Sequence, residues 1–441
     1  MQVSVENISS IKRLVTVTVP VDIVEKEYKK SFVNIAKKAK IDGFRKGHIP
    51  TSVLNQYFGQ DIIEGGIKNL IDATVFKALD SEKIEFLGTP AIKFIKDVEF
   101  AKDKEFKYEI EVEVLPKVEF KPFNELDLSV YNSKVDDKDV DDMIENLRQQ
   151  QATWQTVDGA EATKDSQVVI DFLGTIDGVE FNGGKAENYE LNIATTPMIP
   201  GFNEQIVGHK AGDEFTIDVT FPDNYHAEEL KGKAAQFKIT IHSVAQKNLP
   251  EVNADFIKIF GVQDGSIEKF REELKSNMER ECVRALAVNN RSQLYKKLFE
   301  TYKDMEVPQA FVSERMEALK ERTANEFKRM GIKNLPELKD DMFAEEAKKA
   351  ATVQTLVLSY IDQNDLLEPS EEAIEAELNL IAGAYEEPEK FKNELRSNKK
   401  RMAQIKDVAL DRELVAKMIE ASNAKVEDVA FIDLINMRPE F

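Results

Sequence analysis

One cysteine, Cys282, stands in a chain of 441 residues. A lone thiol rules out an intramolecular disulfide framework and any Cys-x-x-Cys metal or redox site. The four histidines, at positions 48, 209, 226 and 242, are too few and too scattered for a histidine-based metal cluster. No apolar run approaches the roughly 18 residues needed to span a bilayer. The opening stretch "MQVSVENISSIKRLVTVTVP" alternates like a strand and lacks the basic-then-apolar layout of a signal peptide. The expected location is therefore the cytoplasm, with no membrane partner. A GxxxxGK[ST] phosphate loop is missing, and so is any credible Ser-His-Asp or Cys-His set. These absences exclude most nucleotide-driven, metal-dependent and nucleophilic mechanisms, and no cofactor is expected.

What is present is apolar material for packed cores on a well-solvated surface, at 42% hydrophobic and 32% charged residues. The length implies two to four domains, at the usual prior of roughly 100 to 200 residues each. Formal net charge is -21, yet residues 1–115 balance acids against bases, so the deficit lies in the remainder. Residues 29–46 are locally basic, with Lys29, Lys30, Lys37, Lys38, Lys40, Arg45 and Lys46 against Asp42 alone. With a screening length of about 8 Å at physiological salt, distant carboxylates leave such a patch free to meet an anionic partner. On charge alone, a Lys-rich helix face is more often simply solvated.

The alternating apolar residues at the start predict half-buried strands. Ile23 or Val24, Tyr28, Phe32, Ile35 and Ala39 recur at helical spacing and predict a helix over about 21–40. Gly43 ends it, and Pro50 is placed to open another through "TSVLNQYF". The octet between, "GFRKGHIP", reads as a helix–loop–helix connection with Phe44, Arg45 and Lys46 at its tip. A further helix through "DIIEGGIKNLIDATVFKALDSEK" and strands near "AIKFIKDV" and "FKYEIEVEVL" complete an α+β domain over 1–115. An extended stretch and an acidic helix, with a narrow stripe of Val140, Ile144 and Leu147, make 116–150 a connector.

Residues 151–246 change texture, with the β-rich runs "QVVIDFLGTI", "YELNI", "EFTIDVTF" and "AAQFKITIHSVA" separated by turn signals and one short helix, "IPGFNEQIVG". The pattern suggests a small, twisted antiparallel sheet wrapped on a single helix. Residues 247–441 read as almost wholly helical, over 266–303, 308–330, 340–364, 370–384, 399–422 and a short piece near 426–436. The first of these would be on the order of 55 Å long if unbroken. The fold class is thus multidomain α+β: an N-terminal α+β domain, a twisted sheet around one helix, and an all-α C-terminal domain with long helical arms.

The β-rich segment is dense in Phe172, Phe181, Tyr189, Met198, Ile199, Phe202, Phe221, Tyr225 and Phe237, which composition alone would assign mostly to core. The order of the segment is more specific. "VVIDFLGTIDGVEFNGG", "MIPGFNEQIVGHKAGDEFTIDVTFPDNY" and "GKAAQFKITIHSV" together resemble the FK506-binding-protein family of peptidyl-prolyl isomerases across nearly the whole domain. That resemblance implies an apolar pocket lined by Phe172, Phe181, Met198, Ile199, Phe202, Tyr225 and Phe237, with Tyr189 nearby. It implies Phe202 as the floor and the Tyr225 hydroxyl as a hydrogen-bond donor to a substrate carbonyl. An X-Pro amide resists rotation by roughly 18–20 kcal/mol because of a charge-separated resonance form. An apolar aromatic cavity disfavours that form, so no nucleophile, base or metal is required. Phe202 stands where stand-alone members usually have tryptophan, and Asn182 where they have aspartate. The loop after Tyr225, "HAEELKGK", is short, which bears on macrolide binding.

"GFRKGHIP" matches the Gly-Phe-Arg-x-Gly-x-x-Pro signature of the trigger factor family of ribosome-associated bacterial chaperones. "KAGDEFTIDVTFP", "FIKIFGV" and "NMERE" resemble that family too, as does the domain order, so the likeness covers essentially the whole chain. It implies 1–115 as a ribosome-binding domain, 151–246 as the isomerase and 247–441 as a helical chaperone domain. Gly43, Phe44, Arg45, Lys46, Gly47 and Pro50 would form the ribosome-binding loop, on a tunnel-exit ribosomal protein with adjacent rRNA. Lys37, Lys38 and Lys40 would add supporting charge. The helical arms would cradle nascent and unfolded polypeptides without ATP, and a homodimer away from the ribosome is left open. Met278, Met316, Met330 and Met342 suit such a promiscuous surface, and suit a core equally well. A second reading is a free cytoplasmic prolyl isomerase whose flanking domains only recruit partners. The two differ in whether Phe44 to Lys46 matter. A purely structural scaffold would leave the pocket residues unexplained.

Overall fold

The computed structural model describes residues 1–441 except 43, 46, 96–99, 226 and 333–334. Two compact units emerge: residues 1–133 with 283–441, and residues 134–282.

The first unit begins with β1 (Gln2–Asn7) and β2 (Lys12–Val19), then α1 (Val21–Lys38), α2 (Thr51–Ser81), β3 (Leu87–Phe94) and β4 (Phe106–Glu113). The strands form an antiparallel sheet in the order β1-β2-β4-β3. On β2 the period-two pattern of the sequence is realised, with Val15, Val17 and Val19 all facing the core. Tyr108 and Ile110 of β4 extend that face, and Leu70, Val75, Ala78 and Leu79 of α2 and Val24 of α1 cover it. One polar pair is buried there. Thr74 Oγ1 donates to Leu70 O at 2.6 Å and lies 2.8 Å from the Tyr108 hydroxyl, which is left to donate to it. The sequence predicts two helices over the span that α2 occupies. The chain instead runs through, absorbing the break in a single non-helical residue, Phe58 (φ −128°). β5 (Ser129–Asn132) follows in the predicted connector.

The second unit holds α3 (Asp137–Gln150), β6 (Thr153–Thr156), β7 (Gln167–Ile176), β8 (Val179–Asn192), α4 (Phe202–Ile206), β9 (Glu214–Thr220), β10 (Ala234–Asn248) and α5 (Ala254–Ile259). Asp136 closes a capping box with Asp139 at the start of α3. The sheet runs β6-β10-β7-β8, with β9 on β10, all antiparallel. Its inner face and α4 share one core of Val168, Ile170, Leu191, Phe202, Ile206, Ile239 and Ile241 among others. This is the twisted sheet on one short helix that the turn pattern predicts.

The long helix α6 (Ile267–Tyr302) starts in this unit and ends in the first. After it come α7 (Gln309–Arg329), α8 (Ala344–Gln363), α9 (Glu371–Ala382), α10 (Pro388–Ser397), α11 (Lys399–Ser422), β11 (Lys425–Asp428) and α12 (Phe431–Asn436). The sequence predicts helix over 426–436, but Lys425 to Asp428 pair in parallel with β5. Asn423 ends α11 in the left-handed region (φ +48°), and the free edge of β5 captures the chain that emerges. Tertiary pairing overrides local propensity here. The structure also separates the methionines. Met278 is buried and Met316 packs in a small cluster with Leu319 and Phe343, whereas Met330 and Met342 are exposed.

Candidate functional site

The aromatic residues of the second unit converge. Phe202 and Phe237 are buried, with Phe172, Phe181, Tyr189, Met198, Ile199 and Tyr225 half-buried against them. Phe202 and Phe237 meet edge to face at 5.3 Å between ring centroids. Phe172 sits 5.8 Å from Phe202, 5.9 Å from Phe237 and 5.7 Å from Tyr189. Phe181 reaches Phe237 at 5.9 Å, and Phe221 lies 4.8 Å from Tyr225. All eight pocket residues expected from the sequence are thus brought to one face of the sheet. Edge-to-face pairs hold such rings at fixed angles, beyond what area burial gives.

Local backbone makes this possible. Gly201 adopts φ +87° as the residue before α4, and Phe202 N–H donates to Ile199 O at 2.9 Å, turning Phe202 inward and leaving Met198 and Ile199 at the rim. The loop carrying those two is tied down by Asn203, whose Nδ2 donates to Ile193 O and Thr196 O, both at 2.9 Å. Opposite, residues 181–184 of β8 stand against Gly174 alone, a bulge that folds Phe181 inward. A Cβ on Gly174 would lie 2.6 Å from Phe237 and 2.8 Å from Phe181; one on Gly184 would lie 2.9 Å from Phe181. Sequence reasoning passed over Asn203, Gly174 and Gly184. The available signal was a glycine inside a strand pattern, which often marks a bulge or a close approach.

The second candidate is the connection between α1 and α2. Gly43 and Lys46 lie outside the described residues. Phe44 is 41% exposed and Arg45 is exposed beside it. Phe44 N–H donates to Ile41 O at 3.1 Å and His48 N–H to Arg45 O at 2.9 Å. Gly47 takes φ +80° with open space around it. Pro50 stands immediately before α2, one position earlier than the sequence suggests. Next along the chain, Ile49 packs with Ala39, Leu54, Ile62, Phe32 and Phe58 in a small apolar cluster that shares Tyr28 with the main core. An aromatic ring left in solvent beside an exposed guanidinium is a surface available for contact.

Other apolar side chains are exposed in the helical region: Met330, Ile332 and Leu335 just after α7, and Met342 just before α8. Among the described residues, no helix is long and apolar enough to cross a membrane.

Comparison with known proteins places names on these parts. Residues 1–147 match the bacterial trigger factor protein family and residues 266–420 the C-terminal family of the same protein. Residues 159–242, between them, match the FKBP-type peptidyl-prolyl cis-trans isomerases. A solved structure from work on promiscuous substrate recognition in folding and assembly activities of the trigger factor chaperone is 20% identical, covering 95% of this chain and 99% of that one. Its TM-score is 0.43.

Proposed function

The chain belongs to the trigger factor family, ribosome-associated chaperones with an FKBP-type peptidyl-prolyl isomerase domain, and from that premise we propose how its residues divide the work. Residues 1–115 dock on the ribosome, 116–150 connect, 151–246 isomerise X-Pro bonds and 247–441 hold unfolded chains. The protein acts in the cytoplasm, without ATP. Docking uses Phe44, Arg45 and Lys46, with Gly43, Gly47 and Pro50 shaping the loop. Arg45 can fork onto a phosphate or carboxylate and Lys46 adds a point charge, while Phe44 presents a flat apolar face. That combination fits a tunnel-exit ribosomal protein with rRNA beside it. The exposed Met330 after α7 and Met342 before α8 suit nascent segments of varied sequence, because thioethers repack easily. A homodimer would cover the same apolar surface when no ribosome is present.

For catalysis we assign Phe172, Phe181, Tyr189, Met198, Ile199, Phe202, Tyr225 and Phe237. The prolyl ring enters against Phe202 and Phe237, and the amide leaves water for an environment of ring edges. Loss of solvation weakens the charge-separated resonance that keeps the amide planar, lowering a barrier of roughly 18–20 kcal/mol. The Tyr225 hydroxyl donates to a substrate carbonyl and fixes the peptide's direction.

The observation that carries the docking assignment is the exposure of Phe44 and Arg45 side by side in the connection between α1 and α2. Co-sedimentation with bacterial 70S ribosomes over a salt series tests it. Wild type should pellet saturably and salt-sensitively, and the Phe44→Ala, Arg45→Ala, Lys46→Ala triple variant should stay in the supernatant. Equal pelleting of the two would reject the loop as the dock.

A further inference from the structure

Alternation along β8 and β10 fails at two places on either side of one residue, Asp171. On β8, Ala186 pairs with Phe172 and Tyr189 with Ile170, so three steps on β8 match two on β7. On β10, Ile241 pairs with Ile170 and Ser243 with Val169, so two steps match one. Each mismatch is a bulge, and each shifts the inward phase of its strand by one residue. The β8 bulge has the larger consequence. Side chains three apart in a regular strand face opposite ways. Ala186 and Tyr189 nevertheless pair with Phe172 and Ile170, which both belong to the inner layer, and Tyr189 meets Phe172 at 5.7 Å. Without the extra residue, Tyr189 would turn to the outer face of the sheet.

The bulge residue Asn188 takes φ +52°, and its N–H donates to Asp171 Oδ1 at 2.7 Å. The other bulge is centred on His242, whose Nε2 lies 2.8 Å from Asp171 Oδ2. One carboxylate on the outer face thus engages both bulges from the central strand between them. Its carboxyl is held below the usual carboxylate range, first by the Asn188 N–H and next by His242. A bulge N–H has no ladder partner, and a charged acceptor is worth more to it than a neutral one.

From this geometry we infer that Asp171 is a positioning residue for the isomerase: by holding the β8 bulge, it keeps Tyr189 in the pocket wall against Phe172. The inference rests on the pocket assigned above. It adds a residue that touches no substrate and lies on the opposite face of the sheet.

The test uses the full-length chain and a protease-free X-Pro tetrapeptide assay. Asp171→Ala removes the acceptor; Asp171→Glu keeps the charge but overreaches; Asp171→Asn keeps an oxygen for the Asn188 N–H and can still bond His242. A misplaced pocket wall should lower kcat/KM by about tenfold in the Ala and Glu variants, with Asn restoring it to within about threefold of wild type. If Asp171 acts through Tyr189, adding Asp171→Ala to Tyr189→Ala should cost less than about twofold more. With selective 15N-asparagine labelling, the Asn188 amide should resonate far downfield in wild type and Asp171→Asn, and lose that shift in Asp171→Ala. Additive losses, or full activity in Asp171→Ala with the Asn188 shift gone, would overturn the inference while leaving the pocket intact. An inactive wild type, or full activity in Tyr189→Ala, would overturn the pocket assignment and the inference with it.

Discussion

Replacing Gly174 by alanine tests whether the pocket is as tightly ringed as the structure makes it. Neither Gly174 nor Gly184 has a positive φ, so alanine strains no backbone at either site. Inside a strand it should even help by roughly 0.5–1 kcal/mol, through lost unfolded-state freedom. Sterics must reverse that sign. At position 174 the new methyl would sit 2.6 Å from Phe237 and 2.8 Å from Phe181. Phe237 is 3% exposed and wedged against Phe172, Phe181 and Phe202, so it cannot yield outward. Overpacking of that kind costs about 1–3 kcal/mol, and an unyielding neighbour puts Gly174→Ala in the upper half of the range. At position 184 the three nearest atoms to the methyl all belong to Phe181, which is half-buried and can swing toward solvent, so the stability loss should stay under about 1 kcal/mol. The sole tryptophan, Trp154, supplies the assay, because it pairs on β6 with Lys247 of β10 and reports the sheet directly. In urea, the Gly174→Ala midpoint should fall by about 1–2 M and that of Gly184→Ala by less than about 0.5 M. Both should lose isomerase activity, since both displace Phe181. A Phe181→Leu background should make Gly184→Ala harmless while leaving the Phe237 part of the Gly174→Ala penalty. An unchanged midpoint and full activity in Gly174→Ala would refute the packing argument.

In the N-terminal sheet, Thr74→Val strands the buried Tyr108 hydroxyl and should destabilise by about 1–3 kcal/mol, whereas Tyr108→Phe removes the pair's outer member and should cost about 1 kcal/mol, measured by hydrogen exchange of β2 and β4 amides. Glu111 lies between Lys93 and Lys12, and their hydrogen bonds depress its pKa. A depressed carboxylate stabilises above its unfolded pKa, about 4.3, and that contribution disappears as pH falls through the lower folded value. Glu111→Gln should therefore flatten this part of the acid limb of a pH–stability curve, and an unchanged limb would show that the lysines do not hold the strands together. For the docking loop, Arg45→Ala should reduce the slope of log affinity against log salt by about 1, while Phe44→Ala should weaken ribosome binding without changing the slope. Identical slopes in all three proteins would leave Arg45 without an anionic partner.

The elements that periodicity defines were legible in advance. β7 coincides with "QVVIDFLGTI", and α1, α6, α7 and α11 fall within a residue or two of their apolar spacing, because one repeated contact writes one repeated letter. The pocket's side chains were legible by type, since an aromatic cluster is visible in any order of strands. How they come to share a face was not. Phe181 and Tyr189 lie eight residues apart on β8, an even spacing that suggests simple alternation. The structure reaches the same outcome by two bulges whose shifts compensate, one opposite Gly174 and one opposite Asp171. Reading them required the partner strand, which local sequence does not contain.

The same reason hid β11. "KVED" has no strand signal of its own and is exposed along its length, yet it pairs with β5 across almost 300 residues of chain. Lys425 N–H donates to Leu128 O at 2.8 Å, and Asn132 Nδ2 donates to Asp428 Oδ1 at 2.7 Å, so the strand is bonded at both ends. On its flank Leu126, Leu128 and Val130 are buried against Leu294, Leu298, Val415 and Met418. Tyr131 exchanges hydrogen bonds with Asn290 on α6, its N–H donating at 2.7 Å and its carbonyl accepting at 2.9 Å. A stretch that reads as a plain connector is therefore the piece around which α6, α8 and α11 close. Pairing of this kind carries a large loop-closure entropy, which the helix contacts around it must offset. The helices are written in the sequence by period; the strand that ties them is written by what surrounds it.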